Sequence, residues 1–178
     1  QMLLGVGAVA TKTYVDDVFS TFLYEGTSSS HTINNGIDLS GEGGLVWFKN
    51  RSSTYSHSLI DTVRGKTKRL TSNDTVGEVT WTDTITSFNN NGFTLGTSDD
   101  VNDDDMNFTS WTFRKSPMFD VVTWTGNDTN RTISHSLGSV PGMILVKKTS
   151  DSDDWMVYHR SIGATKYFRL NSDDSSDT

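Results

Sequence analysis

The chain has 178 residues and a formal net charge of −7; Thr, Ser and Asn abound, Ala occurs three times and Cys is absent. Few helix formers, many pleat-tolerant residues and an acid complement of mostly Asp, with Glu only at positions 25, 42 and 78, predict an all-β protein with polar turns. The acidic balance without a basic stripe excludes nucleic acid as a partner. The missing thiols exclude disulfide scaffolds, thiolate zinc sites and Cys nucleophiles.

Residues 1–12 form an apolar, Gly-containing arm, too short for the ~20 residues a bilayer span requires, so no membrane crossing is expected. Thr13 to Asp17 carries cap residues suited to a helical turn. Strand signals follow at 18–24, 31–37 and 44–49, separated by Gly, Ser and Asn clusters. The stretch 44–49 is apolar on both faces, which predicts a central strand of a covered sheet. Strands at 57–63 and 67–72 flank an Arg64-Gly65-Lys66 turn, whereas 79–88 fits a strand or a short helix equally. Asn89-Asn-Asn-Gly92 is a hairpin turn, because Asn and Gly tolerate left-handed backbone. Beyond the acidic loop Ser98 to Asp105, a strand over 107–114 puts Trp111 and Phe113 on one face and Phe108 on the other. Pro117 suits a boundary, since it cannot donate to a ladder. Further strands are predicted at 119–125, 131–137, 142–148, 154–159 and 166–170, with Asp151-Ser-Asp-Asp154 at a hairpin tip.

The second half echoes the first in order. Phe19 to Gly26 returns as Phe119 to Gly126, Thr32-Ile33 as Thr132-Ile133, and Gly44 to Lys49 as Gly142 to Lys147. His57 to Ile60 is matched by His159 to Ile162, and Arg69 to Ser72 by Arg169 to Ser172. Conserved order with small drifts in offset predicts duplication of one structural unit. The second copy halts where the first runs on through Trp81, Phe93 and Trp111, so the chain reads as a fragment with its start also missing. The expected organisation is an arm (1–12), a first sandwich unit (13–117) and a second, incomplete one (118–178). A single merged sandwich is the competing picture.

Few constellations carry chemistry. Asp99, Asp100, Asp103 and Asp105 crowd one loop with oxygens of the kind calcium takes, although the central Gly and terminal Glu of an EF-hand are missing. The alternative is a solvated loop. The placement of His57 and His159 at matched positions points to a repeated structural hydrogen bond rather than one catalytic centre, and no Gly-x-Ser-x-Gly elbow occurs. No two Glu stand at the spacing of a glycosidase pair. Trp47 and Trp124 sit in repeated strand positions and read as core. Tyr55 and Trp155 are the candidates for partial exposure and contact with a glycan.

Several stretches together resemble a known family. They are Gly41-Glu-Gly-Gly-Leu-Val-Trp-Phe-Lys-Asn50 with Asp61-Thr-Val-Arg-Gly65, then Ser87-Phe-Asn-Asn-Asn-Gly-Phe-Thr-Leu-Gly96, Trp111 to Pro117 and His135 to Met143. This set resembles the repeated domain of virion structural proteins of marine phages, found in tail-fibre-like proteins and related to the concanavalin A-like, jelly-roll-type sandwich. The resemblance covers residues 13 to 172. It implies a β-sandwich without enzyme activity, catalytic residues or a cofactor, located in the virion, in the tail rather than the head. The partners it implies are other virion proteins, further copies in a homo-oligomer, expected to be a trimer, and a host surface glycan. Met2, Leu3, Leu4, Val6 and Val9 then become an assembly interface, as exposed apolar stretches mark interaction sites. A capsid-decorating protein and a secreted bacterial carbohydrate-binding module are the alternatives.

Overall fold

The computed structural model describes residues 13–173. A 3-10 turn at Val15–Asp17 leads into β1 (Phe19–Glu25), β2 (His31–Asn34), β3 (Gly44–Asn50), β4 (Ser58–Asp61), β5 (Lys68–Leu70) and β6 (Val79–Thr80). Then come β7 (Ile85–Asn89), β8 (Gly92–Leu95), the short helix α1 (Asp99–Asn102) and β9 (Asn107–Arg114). The second half contributes β10 (Met143–Val146), β11 (Met156–His159) and β12 (Phe168–Arg169). All pairings are antiparallel, in a six-stranded sheet ordered β1-β9-β3-β4-β5-β6 and two three-stranded sheets, β2-β8-β7 and β10-β11-β12. The protein is an all-β antiparallel sandwich.

Alternation in β3 explains the layering. Val46 and Phe48 point to one face of the large sheet and are fully buried against Ile33, Ile85, Phe93 and Leu95 of the β2-β8-β7 sheet. Phe108 on β9 joins them, stacked on Tyr24 with ring centroids 5.3 Å apart. Each such ring or branched chain, buried from water, contributes about 1.5–3 kcal/mol. Leu45 and Trp47 point the other way. With Leu59 and Leu70 they meet Leu145, Trp155 and Leu170 of the second half. Both faces of the large sheet are therefore covered, as the double-sided apolar run of β3 requires.

The second half lies as a third layer over the outer face of the large sheet. The indole N–H of Trp155 donates to the Thr71 carbonyl at 2.8 Å. The backbone N–H of Glu78 donates to Thr149 (2.8 Å) and that of Asp153 to Thr75 (2.9 Å). Its three strands repeat a pattern seen in the first half. Leu45 pairs with Asp61 and Phe48 with Ser58, as Met143 pairs with His159 and Val146 with Met156. Thr62 N–H donates to the Gly44 carbonyl (3.0 Å) and Arg160 N–H to that of Gly142 (2.9 Å). Gly65 and Gly163 both adopt positive φ, 99° and 83°.

Two expectations need correction. Residues 119–125 and 131–137 form no strands. In the first half β1 pairs with β9 and β2 with β8, and no counterpart of either partner occurs among the described residues of the second half. A strand without a ladder has nowhere to place its backbone groups, so the segment runs irregularly along the surface. The acidic stretch is likewise not all loop, since Asp99–Asn102 forms α1. Asn102 inside it is fully buried: its amide donates to the carbonyls of Ser29 (2.6 Å) and Gly96 (2.7 Å) and accepts from Thr27 N–H (3.0 Å).

Candidate functional site

The surface that differs most from a finished sandwich is the face of β10 and β11 turned away from the first half. In β3 and β4 the residues on that side, Val46, Phe48, Ser58 and Ile60, are all 0% exposed beneath the β2-β8-β7 sheet. Ile144, Val146, Met156 and Tyr158 hold the same register positions in β10 and β11. Ile144 is 42% exposed there, and the other three are half-buried. Met143 and Val140 beside them are also exposed. The β10 strand lies at one end of its sheet, and among the described residues no backbone hydrogen bond reaches its outer edge. Sequence reasoning placed a strand here but not an open face.

The irregular segment from residue 119 to 142 leads into β10. Asp120 pins it: its Oδ2 accepts from Ser136 N–H (2.7 Å) and Oγ–H (2.9 Å), and Lys115 Nζ stands 3.2 Å from its Oδ1. Burial pushes the Asp120 carboxyl up, but the Ser136 hydrogen bonds and the Lys115 charge outweigh it and hold the group below its ordinary value. Trp124, expected in a core, is 48% exposed and lines an open depression with Asn127, Asp128, Asn130 and Arg131.

The calcium candidates do not converge. Asp100 Oδ2 is 2.9 Å from Arg69 Nη1, whose guanidinium also stacks 4.3 Å over the Trp81 ring. The Asp103 charge, then burial and the charges of Asp99 and Asp100, raise the Tyr55 phenol above its ordinary value. Asp105 lies beyond α1 in a left-handed backbone conformation, φ 58°. Among the described residues no three His, Cys, Asp or Glu side chains form a group able to hold an ion. Tyr55 and the acidic stretch thus share one corner of the surface, a proximity that the sequence did not reveal.

Trp155 is not available to a glycan. It is 4% exposed, packed on Leu59 and Leu70 between the two halves, because the turn before β11 aims it inward. The two histidines do not match either. His57 Nδ1 accepts from the Trp47 indole N–H at 2.8 Å, and burial, then the Lys49 charge, lower its pKa. His159 instead takes the register place of Asp61, and Trp155, one residue before β11, stands where His57 stands before β4. Met2, Leu3, Leu4, Val6 and Val9 lie outside the described residues.

Among the described residues no helix is long and apolar enough to cross a membrane. Residues 15–178 match the model of a family described as a domain of unknown function, DUF7483. No curated protein and no solved structure matches the chain.

Proposed function

As the chain belongs to the DUF7483 family, whose description names no activity, we propose its role from geometry and motif resemblance: a non-catalytic structural module of a phage particle. In this reading it is a tail-fibre or fibre-like component that assembles with other virion proteins and copies of itself, as a trimer, and presents sandwich modules to the host surface. One observation carries it. The β3-β4-β5 pattern recurs in register as β10-β11-β12, and the second set keeps an apolar face open beside a strand edge that is unpaired among the described residues. Tandem units that leave edges and apolar faces for further chain suit proteins built to extend and pack. The motif set that resembles phage virion domains supplies the setting, and it supports a duplicated concanavalin A-like unit.

The test is placement. Antibody raised against the chain, applied to particles made by the genome that encodes it, should label the tail and detect the protein in purified particles at structural copy number. Labelling on the head would favour a decorating protein, and absence from particles would end the proposal. Light scattering of the purified chain reads the trimer directly. Turnover of a polysaccharide that disappears on replacing Glu25, Glu42 or Glu78 would refute the non-catalytic reading.

A glycan-binding module is the second reading, favoured by exposed Trp124 beside the amide and guanidinium groups of Asn127, Asn130 and Arg131, the pairing of apolar ring and hydrogen bonders that sugars require. Binding on a glycan array that is lost in Trp124→Ala would support it.

A further inference from the structure

We propose that the outer edge of β10 is an acceptor for an incoming antiparallel β-strand with the chemical pattern of β9. The template is inside the same molecule. β3 holds β9 on one edge and β4 on the other, through the continuous register Gly44↔Arg114 to Asn50↔Phe108. β10 holds β11 in the register that β3 holds β4, and among the described residues its other edge carries no strand. An edge with unpaired N–H and C=O groups and an apolar face recruits a strand by main-chain hydrogen bonds, while alternate side chains decide which strand fits.

The register of the first half sets the side-chain requirement. Val46 faces Thr112 and Phe48 faces Ser110, small hydroxyl residues, whereas Leu45 faces Phe113 and Trp47 faces Trp111. By position, Ile144 and Val146 would face small residues and Met143 and Leu145 would face aromatic ones. The acceptor therefore selects a strand in which aromatic and small hydroxyl residues alternate. The glycine at the head of the strand fits the same account. A Cβ on Gly44 would collide with the Phe113 carbonyl oxygen of β9, so glycine is what lets β9 pass. Gly142 holds that place before β10, and the space a Cβ would take is occupied by the guanidinium of Arg160, a flexible and exposed side chain able to swing out. This inference stands apart from where the protein acts: it concerns an occupant for one strand edge, whatever particle or cell holds it.

The experiment uses the full chain and a fluorescein-labelled synthetic peptide of residues 105–116, which carries the β9 pattern. Saturable 1:1 binding is expected by anisotropy, with amide exchange slowed at residues 143–146 and unchanged at 19–25 and 44–50. A peptide of the same composition with its aromatics placed side by side should bind at least about tenfold more weakly, a difference of 1.4 kcal/mol. Ile144→Glu, at a position already 42% exposed, should weaken the native peptide by a similar factor with the circular-dichroism melt unchanged. No saturable binding, equal binding of the rearranged peptide, or protection on β1 or β3 in place of β10 would each overturn the proposal. The exchange measurement on the unaltered chain decides the matter even if Ile144→Glu fails to fold.

Discussion

Replacing Trp155 tests whether the second half is a structural layer of the first. The side chain is 4% exposed and packs with Leu59 and Leu70, and its indole N–H satisfies the Thr71 carbonyl across the layer boundary. Trp155→Ala deletes the ring, opens a cavity and strands that carbonyl, a loss of about 3–5 kcal/mol. Set against the 5–15 kcal/mol that typically holds a domain folded, that is a large share. Trp155→Phe keeps most of the apolar area and removes only the donor, so about 1–2 kcal/mol is expected. Urea unfolding followed by circular dichroism measures both, provided the slope stays constant across variants. The decisive step is a double-mutant cycle with Leu59→Ala on β4. Side chains that touch should couple by about 0.5–3 kcal/mol. A Trp155→Ala cost under about 1 kcal/mol, together with strict additivity with Leu59→Ala, would show two halves that fold without each other and refute the layered account.

Three further outcomes are expected. Asn102→Ala removes both carbonyl partners and the acceptor for Thr27 N–H inside the fold, and should cost about 2–4 kcal/mol in urea unfolding while accelerating amide exchange at Thr27. Gly44→Ala should separate β3 from β9 and destabilise by at least about 2 kcal/mol, whereas Gly36→Ala, with open space around it and φ 88°, should cost about 1 kcal/mol; a thermal melt ranks the two. The His57 pKa lies below its ordinary 6.5 through burial and Lys49, so the unfolded chain binds more protons as pH falls below that value. Stability should then be full above about pH 6.5 and decline as pH drops through the folded pKa, and the melting temperatures of His57→Gln at pH 7.5 and pH 5 should differ less than those of the parent. An unchanged pH dependence in His57→Gln would refute the assignment.

Period-two pattern and turn chemistry were readable from the sequence because they are local. The double-sided apolar run of β3, the opposed faces of Trp111 and Phe108 on β9, and the Asn89 to Gly92 hairpin all stand where residue type alone placed them. What stayed hidden depends on partners distant in the chain. Trp155 looked free beside an acidic tip, and only the fold brings Leu59 and Leu70 over it. Asp100 looked like a metal ligand, and only the crossover to β5 delivers Arg69 to it. The stretch at 119–125 has the residues of a strand, yet pairing is a two-body property and its partner cannot be read from its own letters. Sequence matching also set His159 against His57, whereas the ladder sets it against Asp61: residue identity tracked a local likeness that hydrogen-bond register does not follow.

A single structural gap accounts for three features of the second half that otherwise stand apart. In the first half β9 lies between β1 and β3 and pairs with both along their length. Among the described residues the second half holds no such strand: β10 keeps an unpaired edge, residues 119–125 have no ladder, and Trp124, the sequence counterpart of Tyr24, is 48% exposed where Tyr24 is 8%. The face of the same small sheet turned toward the first half is packed through Leu145, Val157 and Trp155, so the openness is not general weakness of that half. The open edge of β10 stands where the first half places β9, and the exposed Ile144 stands on the side where it places the β2-β8-β7 sheet, which is why a strand of the β9 kind, rather than a small ligand in the shallow depression at Trp124, is the occupant we propose.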